Sequence, residues 1–382
     1  MAQIYDYQGS IAQKYVLFIT TQVLNTIPGQ NFYAVEVFID SADAAANFVA
    51  APAVDTVTQI TAQNYQSLLQ GSMLSWMTGF FAVPANVTAL AYFVTFTNGG
   101  FAGSGSTSAD LGSAYVTFDQ YGYFKLVYSS AFKKAANLQL AALCAGDSLS
   151  QFMYGSNDGT FLTGAAGTEA GWFKTAGLDV PFVYHPNALY NPALVQLGAT
   201  LGIANSTGTP VGDKLDMLAI GGSFGPSMSG SMLALQVGYA AGSNIAFFSY
   251  VGDSTGNVAV EGGVSNNGAW VSTVKANIQW QATWLVNYID TVTAINVASF
   301  LTRTPTSGFK NNDTYQGVLN LLKVQLNRFS GTRLLNVLIL APPFGQLPAA
   351  SGGVIVVPQA WSATYADNLR KSTVYGTLTI AA

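Results

Sequence analysis

His185 is the single histidine of the chain, and Pro186 follows it at the end of an apolar run. A Ser-His-Asp hydrolase needs such an imidazole as general base, with a carboxylate to orient it, and Asp179 lies nearby in sequence. A lone histidine closing a strand more often completes a turn than it moves protons, so we read His185 as structural. One histidine also excludes a multi-histidine metal site. Carboxylate oxygens could hold Ca²⁺ at Glu36, Asp40 and Asp43, or at Asp213 with Asp216, but neither group has EF-hand spacing. Solvated loop charges account for them better, and turn chemistry suffices for Asp253–Asn257. Gly103-Ser104-Gly105 lacks the rest of a phosphate-binding fingerprint. Cys144 is the only cysteine and sits in an Ala/Leu-rich stretch. That removes an intramolecular disulfide or a cysteine metal cage and makes it a small buried apolar residue. No constellation supports catalysis, and we expect a protein that is not an enzyme and needs no cofactor or metal.

The elements that would carry these residues alternate in type. Residues 1–13 read as an extended polar arm. Alternation over 15–24 and 32–39 predicts two strands, with the turn between them at Pro28-Gly29. Tyr65, Leu68, Leu69, Met73 and Trp76 predict a helix over 62–77, and a β-prone run follows at 87–96. The Gly/Ser/Thr-rich stretch 98–113 marks a boundary, aromatic runs flanking Gly122 predict a hairpin over 114–128, and a helix is expected over 131–143. A Gly-rich irregular region, 155–171, comes next. Beyond it, strands are expected at 180–184, 215–220 and 245–251. Helices alternate with them at 192–201, opened by Asn191 and Pro192, and at 229–241. That rhythm implies a partly parallel sheet with helices on its faces. Gly252–Gly268 is a long Gly/Asn/Ser loop, of the kind that is usually functional or ordered by a neighbour.

The last third is the clearest. Asp290 can cap a helix to about 302, and Asp313, with Gln316 three residues on, can cap another. Val318, Leu319, Leu322, Leu326 and Phe329 form the apolar stripe of that second helix, and Gly331 ends it. A buried strand over 334–340, a strand over 353–357 and a short helix over 361–370 follow. The chain closes on an alternating run from Thr373 to Ile380.

Composition points away from an ordinary monomer. Only 8% of the residues are charged and half are hydrophobic, against roughly a quarter charged in a usual soluble domain. So little charge leaves a lone subunit prone to associate. Residues 72–96 and 217–252 carry no charge, yet both are broken by Gly, Asn, Ser or Pro and lack flanking Lys/Arg asymmetry. We therefore expect no membrane insertion of this chain, and Met1–Tyr7 shows no export signal. Residues 303–382 hold seven basic groups against two acids, whereas 1–302 hold seven against sixteen, with no Lys or Arg between Lys14 and Lys125. Phosphate binding needs clustered cations, so nucleic acid is not an expected partner. A basic end and an acidic body fit head-to-tail association of identical subunits. An alternating strand at each end also presents backbone groups that must pair with something. Donation to a neighbour's sheet edge and return to its own sheet remain equally open.

The segment Asp179-Val-Pro-Phe-Val183 with its helix, the strand leading into 252–268, Trp284-Leu-Val-Asn-Tyr288, the helix start Lys310-Asn-Asn-Asp-Thr-Tyr-Gln316 and Ala366-Asp-Asn-Leu-Arg370 belong to one pattern. Through them, Asp179 to Ala382 resembles the contractile phage-tail sheath proteins. The resemblance implies a mixed α/β (α+β) fold: a sheath-like α/β core over 179–370 and a β-rich, irregular additional domain over 101–178. Residues 21–100 would be a β-rich N-terminal part with one helix. Extended arms would occupy 1–20 and 371–382, with Ile4, Tyr5, Tyr7, Thr373, Val374, Tyr375, Thr377, Leu378 and Ile380 as intersubunit strand residues. It further implies that Lys323, Arg328 and Arg333 face an inner tube. The partners would be further copies of this chain in stacked helical rings, the tail tube protein, and baseplate and tail terminator proteins. The setting implied is a phage virion assembled in the host cytoplasm. The alternative is another self-assembling capsid, fibre or surface-layer protein.

Overall fold

The computed structural model describes residues 3–5, 10–13, 15–18, 31–82, 90–97, 100–101, 107–147, 149–160, 167–207, 246–250, 258–261, 270–271, 280–303, 312–348, 355–357 and 360–365. Three short strands come first: Gln3–Tyr5 (β1), Ser10–Gln13 (β2) and Tyr15–Phe18 (β3). Ala34–Asp40 (β4) follows, and every residue of it is buried. Asp40 ends the strand and caps Ser41–Asn47 (α1), its carboxylate accepting from the Ala42 N–H at 3.0 Å. After Thr56–Ile60 (β5), the single helix expected over 62–77 is two, Tyr65–Leu68 (α2) and Gly71–Phe81 (α3). Gly71 separates them at φ +55, where a Cβ would stand 2.6 Å from the Ala46 carbonyl oxygen. Only glycine makes that turn without strain.

Leu90–Phe96 (β6) precedes Ala109–Phe118 (α4) and Phe124–Tyr128 (β7). The hairpin expected over 114–128 is therefore a helix followed by a strand. Ser108 caps that helix, and Leu111, Ala114 and Tyr115 recur at helical spacing on its buried side. Lys133–Ala145 (α5), Gln151–Phe152 (β8), Tyr154–Ser156 (β9) and Glu169–Thr175 (α6) lead to Val180–Tyr184 (β10) and Pro192–Thr207 (α7). Then come Ala246–Tyr250 (β11), Val258–Glu261 (β12), Trp270–Val271 (β13), Trp280–Arg303 (α8) and Asn312–Phe329 (α9). Leu334–Ile339 (β14), a 3-10 turn at Phe344–Gln346, Ile355–Val357 (β15) and Trp361–Tyr365 (β16) complete the described elements.

One five-stranded sheet has the order β5-β6-β4-β7-β8. β4 is parallel to β6 and β7, and β7 to β8, with β5 antiparallel at the edge. Both faces are covered. Val35, Val37 and Ile39 of β4 pack with Met73, Met77 and Phe80 of α3, with the α7 residues Leu194 and Leu197, and with Trp284 of α8. Phe38 points the other way, toward Leu111 of α4 and Leu140 of α5. β4 is therefore buried on both faces, and the one charge inside it, Glu36, is paired with Lys125 of β7. The boundary expected near residue 100 falls inside this sheet, and 101–178 supply α4, α5 and α6 to the same layers.

Residues 151–156 carry the chain from one sheet to the next. β8 pairs with β7, the Met153 N–H donates to the Lys125 carbonyl at 3.0 Å, and β9 runs parallel to β10. β10 is also parallel to β11, which pairs antiparallel with β12, and β13 pairs with the first residues of β10. A further sheet has the order β1-β2-β16-β14, and β3 pairs with β15. The architecture is mixed α/β with mixed sheets. Two expectations fail here. Asp290 lies within α8 and does not open it, because apolar residues from Trp280 onward already hold that helix in the core. The short helix expected over 361–370 is strand β16 through Tyr365, with Trp361 and Ala363 buried and Ser362 and Thr364 half-buried in strand alternation. Residues 215–220, 229–241 and 373–380 lie outside the described residues.

Candidate interaction surface

α9 is strongly two-sided. Tyr315, Val318, Leu319, Leu322, Leu326 and Phe329 are buried, and Phe329 meets Tyr288 of α8 edge-on at 6.2 Å. Lys323 and Arg328 are exposed, and Arg333, just beyond the helix, is half-buried. Arg328 donates to the Gln325 side-chain carbonyl at 3.3 Å and lies 5.8 Å from the centre of the Phe329 ring. Five residues apart, Lys323 and Arg328 sit about 140° from one another around the axis. They flank the outer face of α9 and do not form one cationic cluster. Between them stands Val324, 57% exposed.

Apolar exposure is concentrated in the same stretch of chain. Of nine exposed large apolar side chains among the described residues, Val324, Leu335, Leu338 and Leu340 fall within 324–340. β14 was expected to be buried, yet only Leu334 of its six residues is. The cause is local. Asn336 sits at φ +51, and the pairing with β16 slips by one residue between Leu335 and Leu338. Such a bulge re-aims side chains along the strand. β14 is also the last strand of its sheet among the described residues. Sequence reading missed Leu335, Leu338 and Leu340 because a continuous apolar run looks the same in a core strand and an edge strand. Asn336 was the available signal.

The arm residues are placed in part. Ile4 and Tyr5 belong to β1, facing Ala12 and Ile11 of β2 in the same chain. Tyr7, Thr373, Val374, Tyr375, Thr377, Leu378 and Ile380 lie outside the described residues.

The catalytic candidates dissolve into structure. His185 is 2% exposed, and its Nδ1 accepts from the Asn187 N–H at 3.0 Å. That bond leaves the ring proton on Nε2, the wrong tautomer for a base oriented through Nδ1. Asp179 and His185 bracket β10 at opposite ends, about 20 Å apart along the strand. A G-x-S-x-G pattern, which a hydrolase of this type would need and which was expected to be lacking, does occur at Gly221, Ser223 and Gly225, and these lie outside the described residues. So do Asp213, Asp216, Asp253–Asn257 and Gly103-Ser104-Gly105.

Glu36, Asp40 and Asp43 do not converge on a cation site. Glu36 pairs with Lys125 at 2.6 Å, Asp40 accepts from the Ser129 hydroxyl, and Asp43 accepts from the Ser130 N–H and hydroxyl. Among the described residues no cluster of His, Cys, Asp and Glu could hold a metal, and no helix is long and apolar enough to cross a membrane. Cys144 is buried, and desolvation pushes its thiol up to about 12, so it is unreactive.

Neither a family model nor a curated protein sequence matches the chain. The fold does have a solved counterpart. It is similar to the helical sheath of the anti-feeding prophage, determined by cryo-EM in the contracted state. The two share 11% sequence identity and a TM-score of 0.55, over 93% of this chain and 94% of that one. The fold is sheath-like. Its likeness extends beyond the C-terminal half to nearly the whole chain.

Proposed function

We propose that this chain is a structural subunit of a contractile sheath, which polymerises into a helical tube of stacked rings. The observation that carries the reading is the end-to-end similarity of fold to a contracted helical sheath. The composition supports it: a chain with 8% charged residues gains solubility by covering its surface with further copies. In the finer form of the proposal, Lys323, Arg328 and Arg333 meet an inner tube, and the terminal strands tie neighbouring subunits together. Baseplate and terminator proteins cap the tube's ends, within a phage tail assembled in the host cytoplasm. Subunits then pass from an extended to a shorter, wider arrangement as rigid bodies. No nucleotide is required if the energy is stored at assembly.

Negative-stain electron microscopy of the purified protein tests this reading. Hollow striated tubes are expected. A homogeneous monomer that persists at high concentration would contradict it.

A further inference from the structure

Where the chain crosses from one sheet to the next, at residues 151–156, it leaves a gap. β7 and β8 stay paired as far as Lys125 opposite Phe152, and the Met153 N–H still donates to the Lys125 carbonyl. From Tyr154 the backbone pairs with β10 instead. A cavity of about 280 Å³ opens at this divergence, lined by Leu126 to Ser130 at the carboxyl end of β7 and by Met153 to Gly155. Crevices beyond the carboxyl ends of parallel strands are where open α/β sheets place their ligands. α5 begins in the lining with Lys133, and Asn191, which caps α7, also lines the cavity.

The remaining lining suits a ring that carries many hydroxyls. Trp76 of α3 and Tyr128 of β7, both half-buried, meet edge-on with ring centres 5.3 Å apart and give the cavity an apolar corner. Polar atoms with unused capacity accompany it. Asn137 is 5% exposed, and its Nδ2 donates to the Lys133 carbonyl at 2.7 Å, leaving Oδ1 without a partner among the described residues. Asn157 donates from Nδ2 to the His185, Asn187 and Tyr190 carbonyls and likewise leaves its Oδ1 open among them. The Trp76 indole N–H has no hydrogen-bond partner among the described residues either. A hydroxyl both donates and accepts, so one sugar ring can serve amide oxygens and an indole N–H together. Its C–H face covers an aromatic face at the same time.

Charge argues against an anion, although α5 opens here without a side-chain cap. Lys133, the one cation in the lining, is already paired with Glu169 of α6, which also accepts from the Ser156 hydroxyl. Ser129 and Ser130 give their hydroxyls to Asp40 and Asp43. Three carboxylates thus stand one side chain away from the lining, and an incoming anion gains little net attraction. The volume lies just below the usual ligand-pocket range of about 300–1,000 Å³, which suits a single ring. We infer that this cavity binds a neutral saccharide, seating one sugar ring against Trp76 and Tyr128 and bonding its hydroxyls to Asn137, Asn157 and the Trp76 indole N–H. The cavity lies within one folded subunit, so the inference does not depend on polymerisation.

Saturation-transfer NMR on the full-length chain tests it, with glucose, galactose, N-acetylglucosamine and glucuronate as millimolar probes. Transfer is expected to at least one of the three neutral sugars, strongest at the protons of its C–H face. Asn137→Leu keeps the size of the side chain and removes the open acceptor, and it is expected to weaken binding about tenfold, the loss of one buried hydrogen bond. Trp76→Phe, which keeps an aromatic face and removes the N–H, repeats the test should the first variant fold poorly by circular dichroism. No transfer to any neutral sugar overturns the inference, as does binding that survives unchanged in both variants. Glucuronate binding in place of the neutral sugars, or their displacement by inorganic phosphate, would make the cavity an anion site and overturn it too.

Discussion

Lys125 is the one cation with no exposed surface among the described residues, and it faces Glu36 directly across the β4–β7 pair. Its ammonium also donates to the Asp119 carbonyl, while the Gly122 N–H donates to the same Glu36 oxygen at 3.2 Å. Among the described residues, Glu36 Oε1 has no hydrogen-bond partner. Burial pushes the Glu36 carboxyl up to about 7, outweighing the downward pull of Lys125 and the Gly122 N–H, with Asp119 adding a smaller upward push. A carboxyl raised by folding holds its proton more tightly in the native chain. Its stabilising contribution is complete below about 4.5 and is lost as pH rises through about 7. The melting temperature of the wild type relative to Glu36→Gln should therefore fall between pH 5 and pH 8, and a flat or rising difference would contradict the assignment. Lys125→Met leaves the carboxylate buried without its partner and should cost about 3 kcal/mol at pH 8 in chemical denaturation. The cost should shrink at pH 5, where Glu36 holds its proton. None of this was legible in the sequence. Glu36 looked like one of three acids near a strand, because its partner lies 89 residues away.

Elements defined by local signals were legible, and those defined by distant partners were not. β10 occupies the predicted residues, and Asn191 caps α7 by accepting from the Ala193 and Leu194 N–H groups at 3.0 and 3.3 Å. The apolar stripe of α9 likewise follows from spacing alone. α4 was misread because aromatic residues near Gly122 mimic strand alternation. β16 was misread because the strands it pairs with, β14 and β2, are far away in sequence. Two predictions belong to this scale. Reversing Lys323, Arg328 and Arg333 to Glu should leave a folded monomer by circular dichroism while abolishing tube-templated polymerisation. Normal templating would remove these residues from the tube interface. Deleting 372–382 should leave a chain with unchanged circular dichroism that no longer forms tubes in sedimentation assays, whereas tubes from the truncated chain would end the donated-strand proposal.

At the scale of the molecule, the α/β class was readable from the strand–helix rhythm, but its extent was not. The rhythm was expected from residue 179, whereas the parallel sheet already begins at β4. The strands themselves were expected, but the parallel pairing of β4 with β6 and β7 depends on partners distant in sequence, so the N-terminal part read as β-rich and not as part of an α/β sheet. Contacts between Phe124 of β7 and Trp280 and Trp284 of α8, with ring centres 5.6 and 5.2 Å apart, tie the early sheet to the late helices. A body joined in this way suits the rigid-body subunit movement proposed above. The most direct test of the central claim is a cryo-EM reconstruction of particles formed by the purified chain. The account predicts hollow helical tubes of stacked rings, with the core of each subunit intact and strands crossing between subunits. Closed shells, flat layers or dispersed monomers would contradict it.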